Sequence, residues 1–135
     1  MTTPLFVTTD WLAEHLHDAN LSIIDASWYL PTMNRDGKAE YGLGHIPGAV
    51  HFDIDAVADQ SNPLPHMLPS PAFFAETVGA MGISNNDRIV VYDGAGLFAA
   101  ARVWWTFRTM GAANVSILDG GAPKWRAEGK DWTDA

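Results

Sequence analysis

Apolar residues fall along the chain in two alternating rhythms: short, nearly continuous runs, and stretches with a helical period. Leu21-Ser22-Ile23-Ile24-Asp25, Ala49-Val50-His51-Phe52, Arg88 to Asp93 and Val115 to Asp119 are β-rich runs of strand length. Ile89-Val90-Val91-Tyr92 is apolar throughout, the mark of a strand covered on both faces, as in a parallel sheet. Between these runs lie helix signals. Thr8 or Thr9 can cap a helix from Asp10 to about Asp18, with Asp10 near its positive end. Ser70-Pro71 is a helix start, and Phe73, Phe74, Val78 and Met81 carry the helical period to a stop at Gly82. Further helices are expected from about Phe98 to Met110 and around Pro123 to Glu128.

Trp28 to Gly44 reads as a long polar connection, followed by a turn at Pro47-Gly48. Asp53 to Pro69 reads mostly as loop, because Pro63, Pro65 and Pro69 forbid regular structure, with a helical turn near Ile54 to Ala58. Strand and helix thus alternate, and the expected fold class is α/β: a mainly parallel sheet flanked by helices on both faces. The length of 135 residues suits a single domain spanning residues 1–135, without internal repeat or linker. A chain of this size can bury enough surface to fold without disulfide or metal.

Charge and composition narrow the function classes. Eight Lys plus Arg against sixteen Asp plus Glu give a formal charge of -8, whose field would repel a phosphate backbone, so nucleic acid is a poor partner. No run approaches the ~20 apolar residues of a membrane helix. Met1-Thr2-Thr3-Pro4 has no basic segment followed by an apolar stretch, so a cytoplasmic location is the expectation. There is no cysteine, which excludes disulfides, thiolate metal sites and a thiol nucleophile on this chain. The histidines fit no metal-binding spacing, and neither metal nor organic cofactor is implied.

Three strands run into an aspartate: Asp25, Asp93 and Asp119. Ligands in open α/β sheets sit beyond the carboxyl ends of the strands, although aspartate also ends strands simply by accepting hydrogen bonds from turn amides. Asp93 is the most informative. It heads Gly94-Ala95-Gly96-Leu97-Phe98-Ala99, a loop of small residues opening a helix, where successive N–H groups can cradle an anion or stabilise a thiolate. Asp93 is itself an anion and would occupy that cradle. A phosphoryl-acceptor role for Asp93, with Mg²⁺ held by Asp25 or Asp119, is a weaker alternative, since no Asp-x-Asp follows the strand and no lysine is placed to clamp phosphate.

Tyr41-x-x-Gly44-His45-Ile46-Pro47-Gly48-Ala49, the strand–loop–helix from Val90 to Trp105, and Leu118-Asp119-Gly120-Gly121-x3-Trp125 together resemble a rhodanese domain in order and spacing. Asp25-Ala26-Ser27-Trp28-Tyr29-Leu30-Pro31, Phe52-Asp53-Ile54-Asp55 and His66-Met67-Leu68-Pro69 narrow the resemblance to the N-terminal domain of 3-mercaptopyruvate and thiosulfate sulfurtransferases, nearer the mercaptopyruvate branch. It covers about Phe6 to Lys130. The resemblance implies a domain paired in tandem with a second rhodanese domain whose active-loop cysteine takes sulfur from a small anionic donor as a persulfide. That cysteine passes the sulfur to a thiol or cyanide. Asp93 stands at the position of the missing catalytic cysteine, so the chain alone is expected to transfer no sulfur. The resemblance also implies that Asp55 and His66 line the cleft, acting with a serine of the partner loop as a relay. His66 would be the base and Asp55 would fix its tautomer; a purely packing role for His66 is the alternative. The rival to the half-enzyme is a free-standing inactive rhodanese module that senses an anion or recruits a protein.

Overall fold

Four parallel pairings build the sheet. The computed structural model describes residues 3–54, 56–57, 68–84, 87–95 and 99–134. In chain order the elements are β1 Phe6–Val7, α1 Thr9–His15, β2 Leu21–Asp25, a 3₁₀ turn at Pro31–Met33, α2 Gly37–Leu43, β3 Val50–His51, α3 Pro71–Ala80, β4 Arg88–Tyr92, α4 Ala100–Thr109, β5 Val115–Leu118 and α5 Gly121–Ala127. The strand order is β1-β5-β4-β2-β3, and every pairing is parallel. The α/β expectation holds.

The helices cover both faces. On one face Phe74 and Val78 of α3 and Val103 and Phe107 of α4 pack with Ile24, Ile89, Val91 and Ile117. There the Phe52, Phe74 and Phe107 rings meet at centroid distances of 5.0 to 6.4 Å, with Phe74 edge-on to Phe107. On the other face Leu12 of α1 and the fully buried Trp125 of α5 pack with Ile23, Val90, Tyr92 and Leu118, and Tyr41 of α2 leans on the same cluster. Burial on both faces is why β4 is apolar throughout.

Local chemistry explains the ends of the elements. Thr8 caps α1 by accepting from the Trp11 N–H at 3.0 Å, and Ser70 caps α3 by accepting from Phe73 N–H at 3.2 Å, with Pro71 at the first helical position. Gly82 ends α3 with φ of 84°. Two elements depart from the sequence expectation. The connection from Trp28 to Gly44 contains α2, capped by Asp36, whose side chain accepts from the Ala39 N–H at 3.0 Å. Strand β1 was not expected at all; its two residues pair in register with Ile117 and Leu118. Near Ile54 the Ala56 and Val57 N–H groups both donate to the Asp53 carbonyl, which agrees with the helical turn expected there.

This topology fixes where a site can form. The chain leaves β2 toward β3 through α2, on one face, and leaves β4 toward β5 through α4, on the other. The loops after β2 and β4 therefore part in opposite directions, and a crevice opens beyond the carboxyl ends of these two neighbouring strands.

Candidate functional site

Asp25 ends β2 and Asp93 follows β4, so the switch point places both aspartates in the crevice. Asp93 is 1% exposed. Its Oδ1 accepts from the Ala95 N–H at 2.9 Å, and its Oδ2 accepts from the Ala99 and Ala100 N–H groups at 2.6 and 2.7 Å. The latter two are the first free donors of α4, where the helix dipole favours negative charge. The Ala95, Ala99 and Ala100 N–H groups thus form an anion cradle, which the Asp93 carboxylate fills. Of the remaining loop residues, Gly94 lies beside it, while Gly96, Leu97 and Phe98 lie outside the described residues.

Ser27 ties the two strand ends together. Its hydroxyl oxygen accepts from the Gly94 N–H at 2.9 Å, and its own N–H donates to Asp25 Oδ1 at 2.9 Å. The fit around residue 94 is close: a Cβ there would lie 2.0 Å from the Tyr29 hydroxyl, which would have to shift. On the far side of Asp25, Tyr92 donates its hydroxyl to Oδ2 at 3.3 Å and accepts from the Ile46 N–H at 3.2 Å. Register sets Tyr92, Asp25 and His51 side by side on three adjacent strands. Asp25 is 3% exposed, and burial raises its carboxyl above the ordinary range, opposed by its bonds to Ser27, the His51 charge and Tyr92. Burial and the buried carboxyl beside it also push the Tyr92 hydroxyl well above the usual tyrosine range.

The crevice continues into a cavity of about 800 Å³. One wall is α2 and the segment before it, where Arg35 forms a two-point ion pair with Glu40, Nε to Oε2 at 2.9 Å and Nη2 to Oε1 at 2.8 Å. The Arg35 guanidinium lies 4.0 Å over the Tyr29 ring, and its hydrogen bonds hold the Glu40 carboxyl below its ordinary range. Burial, with Glu40 nearby, pushes Tyr29 up to about 12. The other wall is α5 and the residues after it, including Arg126 and Trp132.

The sequence-derived candidates divide accordingly. Asp25 and Asp93 come together; Asp119 is exposed. A carboxylate whose two oxygens already accept three backbone N–H bonds is poorly placed as a phosphoryl acceptor, and among the described residues no group of three His, Asp or Glu could hold a metal. Asp55 and His66 lie outside the described residues. His45 is buried, its Nδ1 2.8 Å from the Tyr41 carbonyl, and its backbone pairs with Thr133. Sequence reasoning left Ser27, Glu40, Arg126 and Trp132 without roles. Only Ser27 carried a signal, as a hydroxyl two residues beyond a strand-ending aspartate.

Comparison with known proteins bears on the same residues. The family profile for the rhodanese-like domain matches residues 8–128. Thiosulfate/3-mercaptopyruvate sulfurtransferase 2 of Arabidopsis thaliana is 54% identical over 125 residues, 93% of this chain and 36% of that protein. The 3-mercaptopyruvate sulfurtransferase of Escherichia coli K12 is 47% identical over 129 residues, 95% of this chain and 46% of that protein. Among solved structures, the E. coli 3-mercaptopyruvate sulfotransferase SseA superposes with a TM-score of 0.93 at 45% identity, over 98% of this chain and 51% of that one. The chain thus spans about a third to a half of the length of these relatives.

Proposed function

The chain belongs to the rhodanese family, and on that premise we propose that it is the non-catalytic domain of a two-domain sulfurtransferase. One observation carries the reading. In a chain without cysteine, the anion cradle at the head of α4 is filled by the Asp93 carboxylate. A carboxylate cannot form a persulfide, so sulfane sulfur has no carrier on this domain.

The partner is a second rhodanese domain, whose active-loop cysteine takes sulfur from 3-mercaptopyruvate or thiosulfate and hands it to a thiol or cyanide. The present domain supplies one wall of the substrate cleft. Asp55 and His66 belong to that wall, with His66 as base toward a hydroxyl of the partner loop and Asp55 fixing its tautomer. The relatives' names and the share of their length that this chain spans support the pairing.

Sulfur release from 3-mercaptopyruvate and thiosulfate, measured with the chain alone and with a separately produced cysteine-bearing domain, tests the proposal. Turnover is expected only in the mixture, and His66→Ala should lower it by about a hundredfold, the scale of a lost general base. Turnover by the chain alone would overturn the reading. So would silence in a mixture in which the two domains are shown to associate, which would favour an inactive recruiting module.

A further inference from the structure

The cavity beside the filled cradle has no part in sulfur transfer as proposed, and its lining is unevenly charged. On the α2 wall Arg35 and Glu40 use each other's charge, and both Glu40 oxygens are taken. On the α5 wall Arg126 is exposed and, among the described residues, has no ion-pair partner. It is nonetheless held in place, since its guanidinium stacks 5.0 Å from the centroid of the Trp132 ring.

Trp132 is in turn fixed by the chain around it. His45 and Thr133 exchange backbone bonds of 2.7 and 2.9 Å, and Trp125 Nε1 donates to the Asp131 carbonyl at 2.7 Å. The indole lies so close over Gly44 that a Cβ there would stand 2.0 Å from its Nε1. Arg126 is therefore a cation presented on a prearranged aromatic plate, which lowers the ordering cost of binding. The lining that Arg126 shares also carries apolar residues, Pro123, Ala127 and an 81% exposed Leu43.

We infer that this cavity binds a small organic monoanion, whose carboxylate pairs with Arg126 and whose apolar body lies against Trp132 and Leu43. One unpaired cation matches one negative charge. The formal charge of -8 disfavours a polyanion such as a polyphosphate. A volume of about 800 Å³ lies within the usual range for an organic ligand. The site is distinct from the cradle, whose donors Asp93 already uses.

The test is a ¹H–¹⁵N NMR titration of the chain with 3-phenylpropionate, its neutral amide 3-phenylpropionamide, and the cation 3-phenylpropylamine. The carboxylate should give saturable shifts at the Trp132 indole N–H and the Arg126 Nε–H. The amide and amine should bind at least about tenfold more weakly, since a charge-assisted Arg–carboxylate bond is lost. Arg126→Gln should weaken carboxylate binding by at least about tenfold with the rest of the spectrum unmoved. Equal affinity for the three probes, wild-type binding by Arg126→Gln, or no saturation up to about 10 mM would each overturn the inference. Shifts confined to the Ala99 and Ala100 amides would overturn it too, by placing the anion at the cradle.

Discussion

Asp93 Oδ2 stands 2.6 Å from the amide nitrogen of Ala99, so the side chain at the head of the loop caps the helix at its far end. With the bonds from Ala95 and Ala100, this one carboxylate closes the loop on itself. Asp93→Ala would leave buried N–H groups without an acceptor and should cost about 2–4 kcal/mol, the scale of lost hydrogen bonds to a charged group. Urea unfolding of the two proteins measures it. A loss below about 0.5 kcal/mol would mean that water replaces the carboxylate freely.

The same geometry makes a second prediction. Asp93→Cys would place the chain's only thiol in the cradle. Backbone donors and the α4 dipole favour its anion, so its pKa should fall at least about one unit below the ordinary value of about 8.5. The pH dependence of the rate of reaction with a disulfide reagent gives that pKa directly. A value at or above the ordinary one would show that the cradle is shaped for a carboxylate alone.

Within α2, two glycines should respond oppositely to alanine. A Cβ on Gly37 would lie 2.1 Å from the Ser27 carbonyl oxygen and 2.7 Å from its carbon, both backbone atoms, whereas one on Gly42 meets nothing within 4 Å. Helix propensity alone favours alanine at either position by roughly 1 kcal/mol. Gly42→Ala should therefore stabilise by about 0.5–1 kcal/mol. Gly37→Ala should destabilise by at least about 1 kcal/mol, because forced overlap outweighs propensity. Thermal or urea unfolding of the pair decides it, and equal stabilisation would show that Ser27 yields without cost.

That pair also explains what the sequence could not disclose. Strands β2, β4 and β5 and helices α1 and α3 were legible because their signals are local: apolar runs, Thr8, Ser70-Pro71 and Gly82. Helix α2 was not, since Gly37, Gly42 and Gly44 dilute helix propensity and the element rests on the Asp36 cap and the seat of Gly37 against Ser27. Strand β1 exists only through pairing with β5, more than a hundred residues away. The site followed the same division. Asp93 filling its cradle could be read from an aspartate at the head of a glycine loop. The Arg126–Trp132 wall could not, because it depends on the long-range pairing of His45 with Thr133.

The buried Asp25 leads to a prediction about pH. Burial raises its carboxyl above the ordinary 3.8, partly offset by Ser27, His51 and Tyr92. The native state thus holds this proton more tightly than the unfolded chain does. For a raised acid the stabilising contribution is fully present below the unfolded pKa, and it is lost as pH rises through the folded one. Asp25→Asn keeps an oxygen to accept from the Ser27 N–H but cannot ionise. Unfolding free energies measured by urea from about pH 4 to 7 should therefore fall more steeply for the native chain than for Asp25→Asn. Comparing the two cancels the titrations they share. A difference that stays flat, or moves the other way, would show that Ser27, Tyr92 and His51 together favour the charged carboxylate, and that these neighbours outweigh its burial.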